Sequence, residues 1–179
     1  MARLTHKLAL IGYYAFISKL PEQRLWRGFN RLRCWYLARV LRVLDSADGA
    51  LIGSNVYIGD GRQVSIGAGS RINENVFIQG ARIGRNVLIA PGCAVMSKSH
   101  RHDRLDVPIV LQGETEALPV TIKDGAWLGR NVVVMPGVTI GAGAIVGACA
   151  FVNRDVPDNA VFAGVPARLI RYRDDKQDH

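Results

Sequence analysis

The sequence predicts a parallel β-helix, a column of stacked coils in which each coil is made of short strands. Ten times between Leu51 and Ile145 an aliphatic residue is followed three positions later by Asn or Gly, usually at six-residue intervals. These pairs are Ile52/Asn55, Ile58/Gly61, Ile66/Gly69, Ile72/Asn75, Ile83/Asn86, Ile89/Gly92, Ile122/Gly125, Leu128/Asn131, Val134/Gly137 and Ile140/Gly143. Asn and Gly accept a left-handed backbone at little steric cost, so we expect a corner at each pair. A six-residue period is typical of this fold, because stacked repeats share one core.

A second observation concerns the position two residues before each next aliphatic residue, which is small or apolar in most repeats. Spacing by two places both side chains on one face of a strand, so each unit is a short strand that points inward twice. If three units make one coil, the run from Ile52 to Val152 predicts between four and five coils.

The repeat is interrupted between Val95 and Ile122. We interpret residues 97–121 as a loop extruded from the column. Loops of this length in compact domains are usually functional or disordered, so candidate catalytic residues are expected here. The predicted organisation is a helical segment at residues 1–48, the β-helix at 49–171 and a polar tail at 172–179.

The first segment carries most of the net charge of +8. Residues 1–45 include nine basic and two acidic residues, a net charge of +7, and the remainder of the chain contributes +1. Pro21 and Glu22 are predicted to begin an amphipathic basic helix. One stripe is apolar (Leu25, Phe29, Leu32, Tyr36) and another is basic (Arg24, Arg27, Arg31).

Two roles for this segment stay open. It could lie on an anionic membrane surface, with the stretch from Leu8 to Ile17 in the headgroup region, or it could cap the open end of the column. The stretch is too short to span a bilayer, and no signal-peptide cleavage site follows it. Nucleic acid is not an expected partner, because no nucleic-acid-binding motif accompanies the arginines.

The three cysteines, Cys34, Cys93 and Cys149, show no CxxC spacing. Cys93 and Cys149 fall within the repeats, so we expect buried, reduced thiols rather than disulfides, nucleophiles or metal ligands. This favours a cytoplasmic location.

Histidines are the first candidates for acid-base chemistry. His100 and His102 both lie in the extruded loop, and Asp103 or Asp106 could orient one ring by a hydrogen bond. From the residues alone, a solvated polar loop without catalytic duty is an equal alternative.

Three segments resemble the hexapeptide-repeat acyltransferases, which include galactoside, maltose, serine and xenobiotic acetyltransferases. They are IAPGCAVMSKSH, IKDGAWLGRNVVVMPGVTIGAGAIVGA and FAGVPARLIR. The amino-terminal segment and the loop most resemble bacterial enzymes that O-acetylate polysaccharides or their precursors. The resemblance implies left-handed coiling, whereas the usual crossover rule would predict right-handed coiling. It also implies a homotrimer with clefts between adjacent columns.

In that family a histidine eleven residues into the segment that begins Ala-Pro is the general base, and counting from Ala90 gives His100. His102 is the second candidate for the base, and we assign it instead to shaping the acceptor site. Asn73 matches an acceptor-site asparagine, and Trp127 matches a tryptophan beside the pantetheine arm of coenzyme A. Asn73 could instead serve only a turn, and Trp127 could instead pack against a neighbouring subunit.

The resemblance implies acetyl-coenzyme A as the acyl donor, with no metal. The family's basic residues near the phosphates match Arg154, Arg168 and Arg171, which would otherwise be solvated surface residues. The implied reaction is direct transfer of an acetyl group to a hydroxyl of a sugar or glycan.

Three alternatives are weighed against this function. A xenobiotic or other small-molecule acetyltransferase is one, although a longer carboxyl-terminal helical region would be expected. A zinc hydratase needs three histidine ligands, and His6 and His179 are predicted to lie outside the column. A non-enzymatic β-solenoid scaffold would leave His100 and the terminal arginines unexplained.

Overall fold

The structure is a computed structural model that describes residues 2–174, with side chains described from residue 4 onward. Two α-helices come first, α1 (Ala2–Ala15) and α2 (Arg27–Arg39), with a 3₁₀ turn at Ile17–Lys19 between them. Residues 2–174 contain fifteen strands, numbered along the chain: β1 (Leu51–Ile52), β2 (Val64–Ile66), β3 (Arg71–Ile72), β4 (Phe77–Ile78), β5 (Ala81–Ile83), β6 (Leu88–Ile89), β7 (Ala94–Val95), β8 (Val120–Ile122), β9 (Trp127–Leu128), β10 (Val133–Val134), β11 (Thr139–Ile140), β12 (Ile145–Val146), β13 (Phe151–Val152), β14 (Ala160–Ala163) and β15 (Arg168–Tyr172). A second 3₁₀ turn, Ile109–Leu111, lies between β7 and β8.

The strands form the three sides of a prism. The first sheet has the order β1-β3-β6-β9-β12-β14-β15, the second β13-β10-β7-β4 and the third β11-β8-β5-β2. Neighbouring strands in each sheet are parallel, except that β15 returns antiparallel to β14. The predicted fold class, a left-handed parallel β-helix with amino-terminal helices and an extruded loop, is confirmed.

The predicted number of coils was wrong. The first sheet alone has six parallel strands, from β1 to β14, which gives about six turns rather than four or five. The prediction counted only regular aliphatic repeats. The coil that contains β14 uses Ala160 and Phe162 as its buried residues and therefore falls outside that pattern.

The predicted corners and inward positions are confirmed. All ten Asn and Gly residues of the repeat have positive φ, between 53° and 76°. Inward side chains then stack in register along each sheet. In the first sheet this buried row consists of Ile52, Ile72, Ile89, Leu128, Val146 and Phe162.

The amino-terminal helices cover the open end of the column. The Asn30 amide of α2 donates to Ala50 O at 3.1 Å and accepts the Ile52 N–H at 2.9 Å, so it pairs with β1 as a neighbouring strand would. The buried hydroxyl of Tyr13 on α1 donates to Val56 O at 2.9 Å. Strand-edge groups that would otherwise lack partners are thus satisfied, which is the capping role.

The predicted start and buried face of the basic helix were wrong. The helix begins at Arg27 instead of Pro21, because Trp26 is extended and the Glu22 carboxylate accepts the Ser54 N–H at 2.5 Å. Leu25 and Leu32 of the predicted apolar stripe are exposed. The buried face of α2 instead consists of Arg33, Cys34 and Leu37.

The prediction for Cys149 was also wrong. Cys34 and Cys93 are buried, but Cys149 is exposed. It has φ 61° and occupies a corner, where its side chain points away from the core.

Helix α1 leaves an apolar stripe uncovered. Leu4, Leu8 and Ile11 are spaced three or four residues apart on one helical face, and all three are exposed. Across the part of the chain that the structure describes, no helix combines the length and apolar character needed to cross a bilayer.

Candidate active site

The extruded loop is an ordered hairpin. Leu118 N donates to Ser97 O at 2.7 Å, and Thr115 N donates to Ser99 O at 2.8 Å. Further out, the main chains of His100 and Glu114 form an antiparallel bridge. The hairpin therefore holds His100 opposite Glu114.

The base of the loop is fixed by Gln79, which follows β4. Its Oε1 accepts two main-chain N–H groups, from Ser97 and Lys98, each at 3.0 Å. Ser97 is fully buried against Gly80, where a Cβ atom would lie 2.8 Å from the Ser97 hydroxyl oxygen. A glycine is therefore required beside the base of the loop.

A pocket of about 170 Å³ lies at this hairpin. It is lined by Gln79, Met96, Lys98, Ser99, His100, Glu114 and Met135. Lys98 Nζ and Glu114 Oε2 form an ion pair at 3.1 Å within it. The His100 side chain is exposed, and its ring has no hydrogen-bond partner among residues 2–174. It is therefore available to a substrate.

His102 is placed differently. Its Nδ1 lies 3.0 Å from His100 O, and it does not line the pocket. The expectation that Asp103 or Asp106 orients a histidine ring was wrong, since among the described residues neither carboxylate bonds to an imidazole. Arg104 instead hydrogen-bonds Asp106 and lowers the pKa of that carboxyl.

The other candidate residues are distributed over the prism. Asn73 follows β3 at the corner between the first and second sheets, and its amide donates to Ile89 O at 2.8 Å. Trp127 in β9 points outward from the first sheet and is 45% exposed. Arg168 and Arg171 are in β15, and each donates one Nη1 to a neighbouring main-chain carbonyl.

Arg154 and the base of the loop that carries His100 share a corner, between the second and third sheets. Ser97 follows β7 by two residues and Arg154 follows β13 by two residues, and these strands are two apart in the second sheet. Arg154 therefore lies two coils along the column from the base of the loop. The Arg154 guanidinium is exposed and has no partner within the described residues. A single chain therefore brings Arg154 and the base of the His100 loop to one corner but leaves Asn73 at another.

The two buried thiols, Cys34 and Cys93, are not activated as nucleophiles. Burial raises the pKa of Cys34 and of Cys93 to about 11, so both are protonated at neutral pH.

The described residues offer no clustered set of metal ligands. Residues 2–174 contain no group of three His, Cys, Asp or Glu side chains that could hold a metal ion. His6 contacts Asp60 O at 2.8 Å at the capped end, and His179 lies outside the described residues.

Sequence reasoning identified only His100 among the residues that line this pocket, and the missed residues include Gln79, Lys98 and Glu114. Each contributes through a partner at least 16 residues away. The sequence places Glu114 in the loop, but the main-chain bridge between Glu114 and His100 depends on the register of the hairpin, which the sequence does not give.

Comparisons with known proteins give a consistent assignment. Residues 119–154 match the family model described as bacterial transferase hexapeptide (six repeats). The chain is 38% identical over 136 residues to a galactoside O-acetyltransferase of Escherichia coli K12, covering 74% of this chain and 65% of that protein. It is 38% identical over 100 residues to a putative lipopolysaccharide biosynthesis O-acetyl transferase of the same organism, covering 52% of this chain and 51% of that one.

A solved structure extends the likeness over nearly the whole chain. It is a hexapeptide-repeat acetyltransferase from Vibrio cholerae complexed with acetyl-coenzyme A. The TM-score is 0.65 at 28% identity, and the match covers 94% of this chain and 84% of that one.

Proposed function

Because the chain belongs to the hexapeptide-repeat acyltransferase family, we propose that it is an acetyl-coenzyme A-dependent O-acetyltransferase that acts on a hydroxyl of a sugar or glycan. The observation that carries this proposal is the ring of His100, which stands without a partner at a pocket and at the family's position for the general base. The galactoside and lipopolysaccharide relatives support a sugar acceptor.

In the proposed mechanism His100 accepts the proton of the acceptor hydroxyl as its oxygen attacks the acyl carbon. Bound acetyl-coenzyme A supplies the thioester. His100 then returns the proton to the leaving sulfur, and a main-chain N–H stabilises the oxyanion that forms between these steps. The Lys98–Glu114 ion pair keeps the loop strand opposite His100 in place.

The donor fits the arginines available. Coenzyme A carries a pyrophosphate and a 3′-phosphate, which suit guanidinium groups. Arg154 has all its donors free of described partners, and Arg168 and Arg171 keep most of theirs after one main-chain bond each. In the proposal these three bind the phosphates, Trp127 borders the pantetheine arm, and Asn73 and His102 contact the acceptor.

We further propose that the enzyme works as a homotrimer. Asn73 and His100 lie at different corners of one column, so only a second copy could complete a cleft that contains both. The loop tip exposes apolar side chains that a neighbouring column would cover. They are Leu105, Ile109, Val110 and Leu111.

The proposed location is the cytoplasm, where acetyl-coenzyme A is available, with peripheral contact at the membrane. Support for the contact comes from the exposed stripe of Leu4, Leu8 and Ile11 beside basic residues of the same segment. Such a face binds anionic bilayers through both apolar and electrostatic interactions.

A liposome flotation assay tests the proposed membrane contact. The L8Q/I11Q variant should lose binding to anionic vesicles while the native chain floats.

The central test is donor turnover. Coenzyme A release should depend on a hydroxylated acceptor from a panel of glycosides, nucleotide sugars and oligosaccharides. Acetyl-coenzyme A should raise the melting temperature, as any ligand of the folded state does. Complete absence of donor binding by the native chain would contradict the proposed function and favour a scaffold.

A further inference from the structure

A separate pocket lies at the capped end of the column, between the start of α2 and the first sheet. Its volume is about 540 Å³. The lining residues are Gln23, Arg24, Arg27, Gly49, Ala50, Leu51 and Arg71. Three of the seven are arginines and none is acidic, so the pocket, which we call the arginine pocket, is strongly cationic.

The three guanidinium groups come from separate elements. Arg24 lies in the turn before α2, Arg27 is the first residue of α2, and Arg71 points outward from β3. All three are exposed, and none forms an ion pair or hydrogen bond with any described residue. Other arginines of the chain do find partners, as Arg85 does with Asp124. Three convergent cations without a counter-charge repel each other, which an anionic ligand would relieve.

Nearby acidic groups do not neutralise the pocket. The Glu22 carboxylate accepts the Ser54 N–H and is not part of the lining. Asp48 adjoins Gly49 but is not part of the lining.

The helix terminus adds to the positive potential. Helix α2 is 13 residues long, has no acidic residue in its first turn and receives no side-chain cap from Trp26. The positive end of the helix dipole therefore lies at Arg27, which lines the pocket.

The arginine pocket adjoins one residue of the proposed acceptor site, Asn73. Arg71 lies on β3 two residues before Asn73, and Trp127, proposed to border the pantetheine arm, lies on the same sheet two strands away, in β9. We infer that this pocket binds the diphosphate of the acceptor, so that the substrate class is a sugar diphosphate. The inference rests on the proposed function for its link to acetyl transfer.

A diphosphate matches the pocket in charge and in the number of donors it offers. Each guanidinium can bind two oxygens in a planar fork, and three forks suit a group with several equivalent anionic oxygens. The volume is within the range typical of small-molecule sites. Nucleotide-linked and lipid-linked sugars both contain this diphosphate, and the arginine pocket would bind it in the same way in either substrate.

Direct binding to the full-length protein tests the inference without turnover. Calorimetry with inorganic pyrophosphate, a uridine-diphosphate hexose, a short polyprenyl-diphosphate sugar in detergent and a neutral methyl glycoside should show binding of the anionic ligands only. In the R27Q/R71Q variant the dissociation constant for these ligands should rise at least about tenfold, because charge-assisted bonds are lost. The relative affinities of the two sugar diphosphates identify the source.

The matched control is R62Q/R82Q, which removes the same charge from exposed arginines away from the arginine pocket. This variant should bind like the native chain. Equal weakening in both variants, or no pyrophosphate binding by the native protein, would overturn the inference. So would competition by coenzyme A that R27Q/R71Q abolishes, since the pocket would then belong to the donor. Loss of acetyl-coenzyme A binding with intact pyrophosphate binding would instead contradict the proposed function alone.

Discussion

The main chains of His100 and Glu114 pair across the loop hairpin, and both side chains line one pocket. This pairing positions the main chain at His100, while the imidazole ring has no partner among the described residues. A general base needs both properties, because it must be positioned and still be free to bind the acceptor hydroxyl.

The His100→Ala variant is expected to lose at least about a hundredfold in kcat, the lower end for a positioned general base. Release of free coenzyme A from acetyl-coenzyme A in the presence of a sugar acceptor measures this loss. The comparison variant is His102→Ala, which should raise the KM for the acceptor and leave kcat largely unchanged, because His102 is proposed to contact the acceptor and does not line the pocket. A benign His100→Ala together with an inactive His102→Ala would reverse the assignment.

Gln79→Ala should displace the loop. The variant removes one oxygen that accepts two main-chain N–H groups at the base of the loop, from Ser97 and Lys98. Leaving such donors unpaired costs about 1–3 kcal/mol, and kcat should fall with the free energy of unfolding. Urea unfolding and turnover measure the two effects. Gln79→Glu keeps an acceptor in place and should restore most of the loss, whereas failure of this rescue would argue against a hydrogen-bonding role.

Arg154→Gln should act on the donor. The proposed phosphate contact predicts a rise of about tenfold in the KM for acetyl-coenzyme A, with kcat nearly unchanged, since a charge-assisted bond is lost in ground and transition states alike. Steady-state kinetics at saturating acceptor give both values. Arg62→Gln, an exposed arginine elsewhere on the column, serves as the control. A fall in kcat without a change in KM would contradict a binding role.

Arg33→Met should destabilise the cap. The buried Arg33 donates to Ile52 O, Leu20 O and Pro21 O at 2.7–2.8 Å. Loss of the guanidinium leaves these carbonyls without partners and should cost at least about 2 kcal/mol of unfolding free energy. Urea denaturation measures it. The control Arg31→Met changes an exposed arginine on the same helix and should have an effect within about 0.5 kcal/mol.

Much of the column could be predicted from the sequence, because a corner such as Asn75 and an inward residue such as Ile72 are set by local spacing. The position of His100 followed from family resemblance. The partners of the loop and the cap could not be predicted in this way. Gln79 and Arg33 act on main-chain groups distant in sequence, and the usual rule that arginine is exposed fails where strand-end carbonyls need donors.

Alkaline pH should weaken the packing of α1. Burial raises the pKa of Tyr13 and Tyr14 above the ordinary 10.0, that of Tyr14 to about 12. The unfolded chain therefore loses these protons first, so their stabilisation is complete below about pH 10; that of Tyr14 is lost as the pH rises through about 12, and that of Tyr13 at still higher pH. Between about pH 10 and 12 the unfolding free energy of the native chain should therefore fall. In the double variant Tyr13→Phe/Tyr14→Phe this fall should be smaller by about 1–2 kcal/mol, a figure reduced because partial exposure of Tyr14 screens part of the effect. Urea unfolding at pH 8, 10 and 11.5 measures the slope, with Tyr57→Phe as the control, and an unchanged slope in the double variant would show that other groups cause the alkaline transition.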